Sequence, residues 1–236
     1  VLAVTGKVIP VTLDDMQLVA SLENGDLVYG ESQIPKEAVK NNSRIKRLMI
    51  NPEDAEPLGE ALKAIREADA IVMGPGSLYT SVISNLLVKK ISSSVRRSNA
   101  LKIYISNVMT QPGETDGFTV SDHVKTLRKY GGRDIVDCVI ANSGEVPKSV
   151  QEKYLKENSI PVKVDGKEIK ELGIDLVLDN IAKVKNDVVK HDSDKLAEVL
   201  IDTIMEKKLL YDKKKIFEYM YLSQRIKERE KEEKGK

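Results

Sequence analysis

The chain has 236 residues, 41% hydrophobic and 32% charged, enough to enclose a core without a disulfide or metal staple. Its charge is uneven: residues 206–236 carry 11 Lys or Arg against 7 Asp or Glu, so a chain at +1 overall leaves its body at −3. That split excludes a body built as a nucleic-acid-binding surface, the lone Cys138 excludes an intramolecular disulfide or a multi-cysteine zinc site, and no apolar run approaches the roughly 18 residues of a membrane span.

The first 50 residues read as β structure. An apolar-rich run at 8–12 comes first. Residues 17–22 and 27–30 flank Asn24-Gly25, a hairpin turn signal, and residues 45–50 form a further strand, with no crossover helix among them. After Pro52 the pattern alternates. Leu58, Ala61, Leu62 and Ile65 recur at helical spacing and predict a helix over 57–68. Residues 70–73 read as a short buried strand broken by Gly74-Pro75-Gly76. Ser77 then opens a second helix, apolar through Leu78, Val82, Ile83 and Leu86. A strand at 101–106, a helix at 120–130 and a strand at 135–141 follow, the last with Cys138 as a small buried hydrophobe. A helix over 150–158, strands at 162–164 and 175–178, and a helix from Asp194 into the tail complete the pattern. Strands alternating with helices imply parallel pairing through right-handed crossovers.

Two segments could carry chemistry. Gly74-Pro75-Gly76-Ser77-Leu78-Tyr79-Thr80-Ser81 lies between a strand and a helix. Glycines let backbone approach an anion, a helix start offers unpaired N–H groups, and Ser77, Thr80 and Ser81 add hydroxyls. The segment is either a phosphate cradle or a tight turn capped by Ser77. It is no Walker loop, and Tyr79 stands where a dinucleotide fingerprint needs its third glycine. The second segment, residues 107–117, is polar and broken by Pro112, Gly113 and Gly117. Ligands of open α/β sheets gather beyond the carboxyl ends of strands, which would set Asn107, Thr110, Gln111 and Glu114 beside the first loop. Such amide and carboxylate groups suit sugar hydroxyls or a nucleobase edge; an ordinary surface connection is the alternative. Glu114 and Asp116 could hold a divalent cation, but no metal motif is present. His123, early in its helix, reads as a structural hydrogen bonder, and no catalytic residue is assigned. Lys190-His191-Asp192-Ser193 opens the terminal helix, as an N-cap or as a cation for an anionic ligand.

These two loops, with Ser121-Asp122-His123 and with Gly30-Glu31-Ser32 and Ile34-Pro35, resemble the bacterial gluconeogenesis-factor (YvcK-type) proteins of the CofD-like family, named for 2-phospho-L-lactate transferase. The resemblance covers about residues 6–205. It implies a Rossmann-like parallel sheet with flanking helices as a domain over 1–205, with an additional β-rich segment near its start and a charged helical tail at 206–236 after it. The family's early Gly-Gly-Gly-Thr-Gly loop and its Asp-Asp-Gly-Gly-Ser-Ser-Gly segment are not among these residues, so the first crossover unit is expected to be missing. The transferase branch uses a lactyl-diphosphoguanosine donor and a deazaflavin acceptor. The gluconeogenesis-factor branch is linked instead to UDP-sugars such as UDP-N-acetylglucosamine, central carbon metabolism, cell shape and cell-wall synthesis, without a settled enzymatic activity.

The resemblance therefore implies a cytoplasmic, homo-oligomeric regulator. Gly74, Gly76, Ser77, Thr80 and Ser81 would hold phosphate, and Asn107, Thr110, Gln111, Glu114, Tyr154 and Lys190 would meet nucleoside and sugar. Lys190 stands where the family has Arg and keeps the charge without the bidentate fork. Ser193 lies near a phosphorylatable Thr of relatives and is the candidate phosphosite. Ser84-Asn85-Leu86-Leu87-Val88-Lys89-Lys90 lacks the two prolines and the glycine usual in the family, so the helix from Ser77 is expected to run on. Two alternatives stay open: a Mg²⁺-dependent phosphotransferase, and a scaffold that recruits a protein partner through its basic tail. NAD also stays open as an occupant of a Rossmann-like site.

Overall fold

The computed structural model describes residues 6–209 and positions 220, 221, 224, 225 and 228. The N-terminal part is a small antiparallel sheet. β1 (Gln17–Leu22) and β2 (Leu27–Tyr29) form the expected hairpin, with Asn24 Oδ1 accepting the Asp26 N–H at 3.1 Å as an Asx turn. β3 (Ile45–Asn51) pairs with the other side of β1, giving the order β2-β1-β3. Between β2 and β3 lies α1 (Ile34–Lys40), a helix that the sequence reading lacks. Seven residues with only Ile34 and Ala38 buried give too little periodicity to read. The run at 8–12 forms no strand. It lies as irregular chain against residues 56–58, where Thr12 Oγ1 donates to the Glu56 carbonyl at 2.6 Å and Leu58 N–H to the Val11 carbonyl at 2.8 Å.

The larger sheet is parallel throughout. α2 (Gly59–Glu67) leads to β4 (Ala70–Met73). A π-helical turn (Leu78–Ile83), α3 (Ser84–Leu87) and α4 (Ile91–Arg97) cross over to β5 (Leu101–Ile105). α5 (Val120–Gly131) crosses to β6 (Cys138–Asn142), and α6 (Lys148–Leu155) with α7 (Gly166–Glu171) to β7 (Asp175–Asp179). The order is β4-β5-β6-β7. Period-2 alternation divides the sheet between two cores. Tyr104, Val139 and Ala141 face the main core with α4, α5 and α7, whereas Ile103, Ile105 and Ile140 face Leu196, Val199 and Ile204 of α8 (Ser193–Ile204). Right-handed crossovers between successive strands of one direction put α4, α5 and α7 on one face, which leaves the other for α8.

Several boundaries differ from expectation. The helix from Ser77 does not run on. It stops at Leu87, Val88 is extended and buried, and Lys90 takes a left-handed φ of 66° before α4 begins. Lys89 and Lys90 both pair with Glu56, which pins the break without proline or glycine. The strand expected at 135–141 starts at Cys138, after a 3₁₀ turn at Arg133–Ile135. Residues 162–164 make no strand; single bridges form there and just before it, Met109 with Pro161 and Thr119 with Lys163.

Lys190 and His191 do not open the terminal helix. They end a hairpin, β8 (Ala182–Lys185) and β9 (Val188–His191), and Asp192 is the N-cap, accepting the N–H groups of Asp194 and Lys195 at 3.2 and 3.4 Å. The tail expected as a helix at 206–236 falls mostly outside the described residues; Met205–Leu209 continues α8 as a π-helical turn. Among the described residues no helix is long and apolar enough to cross a membrane.

Candidate functional site

The loops after β4 and β5 lie side by side at the carboxyl ends of adjacent parallel strands and wall a cleft of about 1160 Å³. Its lining includes Gly76, Ser77, Thr80 and Ser81 from the first loop and Asn107, Thr110, Gln111 and Glu114 from the second. Tyr154 of α6 and Val189, Lys190 and His191 of β9 close another side, and Glu31, Ser32 and Pro35, around the start of α1, border it as well. Nearly every residue singled out from the sequence thus meets in one place. Gly74 stands just behind the cleft, at the end of β4, and Ser193 starts α8 two residues beyond His191, exposed.

The hydrogen bonds show which groups are already committed. Asn107 Nδ2 donates to the Gly76 carbonyl at 3.2 Å and to Gln111 Oε1 at 3.1 Å, while Gln111 Nε2 donates to Ser77 Oγ at 2.8 Å. Both hydrogens of the Asn107 amide are spent tying the two loops together. Gln111 keeps one N–H, and Ser77, having accepted, keeps its own hydroxyl hydrogen. Tyr154 is in the same state: its hydroxyl accepts the Val189 N–H at 3.0 Å and retains a hydrogen to give. Thr110 is a clamp. Its N–H donates to the Ile160 carbonyl at 2.8 Å, its hydroxyl accepts the Ile160 N–H at 3.0 Å, and its carbonyl accepts Ser159 Oγ at 2.5 Å. Lys190 is exposed and makes no ion pair among the described residues.

Glu114 changes the reading of the first loop. Its Oε2 accepts the Tyr79 N–H at 3.1 Å and its Oε1 accepts Thr80 Oγ1 at 3.1 Å. A carboxylate from 35 residues away already occupies these donors at the helix start. Burial holds its carboxyl above the usual range, opposed by those two hydrogen bonds and reinforced by the nearby Glu31 charge. Ser77 itself makes no side-chain cap. The cleft is not basic: Glu31, Glu114 and Glu157 line it against Lys190 alone, since burial lowers the His191 pKa. His191 Nε2 donates to the Ser106 carbonyl at 3.1 Å, leaving Nδ1 as an acceptor beside the cleft.

His123 takes no part. It is buried, stacks at 6.3 Å on Tyr104, meets Phe118 edge-on at 5.6 Å, and bonds the Thr119 carbonyl through Nδ1 at 2.8 Å. Cys138 is buried, with its thiol pushed up to about 11, and carries no chemistry. Among the described residues no three His, Cys, Asp or Glu side chains gather as a metal site. Glu31, Glu157 and His191 are cleft residues that the sequence reading did not assign; Gly30-Glu31-Ser32 was a signal for the first of them.

Residues 1–182 match the family model described as 2-phospho-L-lactate transferase CofD. The chain is similar to a putative gluconeogenesis factor of Clostridium acetobutylicum, 53% identical over 99% of this chain and 52% of that protein. It is 45% identical to the gluconeogenesis factor of Bacillus subtilis, over 87% of this chain and 64% of the relative. A crystal structure of a Bacillus halodurans protein superposes with a TM-score of 0.79 at 44% identity, covering 84% of this chain and 62% of the other. The chain spans between about half and two thirds of the length of these relatives.

Proposed function

The chain belongs to the CofD family, in its gluconeogenesis-factor branch, and on that footing we propose that it binds a UDP-sugar as a cytoplasmic regulator of central carbon metabolism, cell shape and cell-wall synthesis. One observation carries the binding part: the hydroxyls of Ser77 and Tyr154 keep their hydrogens on the same cleft that Lys190 lines without a carboxylate partner. These are donors and a cation looking for oxygen acceptors, the chemistry of a sugar diphosphate.

In this reading the diphosphate lies between Gly76-Ser77, with Ser81 beside them, and Lys190. The spare N–H of Gln111 and the Nδ1 acceptor of His191 face nucleoside or sugar. Tyr154 acts twice, giving its proton to the ligand and holding the hairpin that carries Lys190. Phosphate added at Ser193 would place negative charge at the start of α8, two residues from His191, and offers a route of regulation.

Calorimetric titration with UDP-N-acetylglucosamine tests the reading. Micromolar or tighter binding that weakens at least tenfold in Tyr154→Ala and in Lys190→Ala is expected, whereas equal affinity in all three proteins, or binding of NAD with none of the UDP-sugar, contradicts it. A phosphotransferase reading has in its favour the description of the matched family model as a transferase; Mg²⁺-dependent turnover of a nucleotide diphosphate adduct would establish it.

A further inference from the structure

The cleft is electrically lopsided, and this bears on which end of a nucleotide-sugar sits where. Glu114 belongs to the β4 end, because both of its oxygens are bonded to the helix start that follows β4. Glu31 borders the same cleft, close enough for its charge to be felt by Glu114, and has no hydrogen bond or ion pair among the described residues. Lys190 belongs to the far end. Its neighbour His191 bonds Ser106, just past β5, and Val189 bonds Tyr154 on the helix after β6. Adjacent strands are about 4.8 Å apart, so the two ends are separated by roughly 5–10 Å, with Asn107 and Gln111 between them.

We propose that Glu31 and Glu114 make the β4 end a hydroxyl-reading end, which takes the sugar of the ligand and turns away nucleotides that carry further phosphate there. The inference rests on the UDP-sugar reading and adds the orientation and the selectivity. A third phosphate at this end would meet a helix start whose donors at Tyr79 and Thr80 are already filled by an internal anion. It would also face two carboxylates in a partly desolvated cleft, where like charges repel more strongly than in water. A sugar meets the opposite situation. The Glu114 carboxylate has four lone pairs, not all of them used by Tyr79 and Thr80, and Glu31 has all of its own, so both are acceptors for hydroxyl donors. Hydrogen bonds to a charged acceptor are the stronger kind, which makes the exchange of a sugar for a phosphate costly in both directions.

The test is the ratio of affinities for UDP-N-acetylglucosamine and UTP, measured by calorimetry on the whole chain without added divalent cation. The wild type is expected to favour the UDP-sugar by at least tenfold. Glu31→Gln changes an exposed side chain with no protein partner, so its fold is not at risk, and it is expected to cut that preference about tenfold, mainly by strengthening UTP. Glu114→Gln, checked for an unchanged circular dichroism spectrum, is expected to cut it further by also weakening the UDP-sugar. A wild type that binds UTP as tightly as the UDP-sugar overturns the inference, as does an unchanged ratio in Glu31→Gln or in a folded Glu114→Gln. A wild type that binds neither nucleotide instead refutes the UDP-sugar reading beneath it, so the two failures are distinguishable.

Discussion

Gly113→Ala is the sharpest structural test of how the cleft is held together. Gly113 sits at φ +78° in the second loop, and a Cβ there would lie 2.2 Å from the Pro35 carbonyl oxygen and 2.9 Å from the Pro35 C and Cα atoms. Left-handed backbone costs an alanine about 1–2 kcal/mol. The clash is with backbone, so no side chain can swing away; the loop and the start of α1 must separate by about 1 Å, at an overpacking cost of about 1–3 kcal/mol. The total is about 3 kcal/mol, and at about 2–4 °C per kcal/mol for a chain of this size the melting temperature should fall by about 10 °C. Gly117→Ala is the internal control. It has φ +69° in the same loop but open space around the added methyl, so it should carry the backbone cost alone and lose about 5 °C. Differential scanning calorimetry of the two variants side by side makes the comparison. Equal melting temperatures would refute the claim that the second loop is locked against α1, and with it the claim that Glu31 is held at the border of the cleft.

Three further outcomes follow from the same geometry. Tyr154→Phe keeps the ring but removes both the acceptor for the Val189 N–H and the proton for a ligand, so the dissociation constant for UDP-N-acetylglucosamine should rise about tenfold; an unchanged constant would remove the hydroxyl from the account. Burial lowers the His123 pKa, so the unfolded chain takes up protons near pH 6.5 before the native one does, and stability should fall as pH drops below about 6.5. His123→Asn retains a donor for the Thr119 carbonyl without the titration, and urea unfolding between pH 7.5 and 5.5 should show a shallower pH dependence than wild type; an equal slope contradicts the assignment. Asp192→Ala removes the cap of α8 and should cost about 1 kcal/mol, or about 2–4 °C in a thermal melt, with no loss meaning that the helix start is held by other groups.

The strands at Gln17–Leu22, Ile45–Asn51, Ala70–Met73, Leu101–Ile105 and Asp175–Asp179 were legible because short apolar runs bounded by turn residues read as strands, although the burial expected at 70–73 holds for Met73 alone and Asp175–Asp179 buries no residue fully, β4 and β7 being the edges of their sheet. The two loops were legible because glycine, proline and hydroxyl residues cluster between such runs. The hairpin of β8 and β9 was not: Lys183, Lys185 and Lys190 share its eight strand residues with three valines, and its pairing depends on Tyr154 and on Lys153, which bonds Asp187 at 2.5 Å. The break at Lys90 was hidden for a similar reason, since a lysine in left-handed conformation held by Glu56 leaves no glycine or proline to see. Nor could sequence show that Thr80 would give its hydrogen to Glu114, because that bond joins residues 34 apart through the packing of two crossovers. In the site, residue identity was readable and hydrogen-bond commitment was not. Commitment separates Thr80, whose hydroxyl hydrogen goes to Glu114, from Ser77, a donor with a hydrogen to spare.

The most direct test is a crystal structure of this chain with UDP-N-acetylglucosamine. The account predicts the ligand in the cleft between the loops after β4 and β5, its diphosphate between Gly76-Ser77 and Lys190, the Tyr154 hydroxyl donating to it, and its sugar hydroxyls against Glu114. A ligand bound elsewhere on the chain, or one that lies in the cleft with its diphosphate against Glu31 and Glu114, would contradict it.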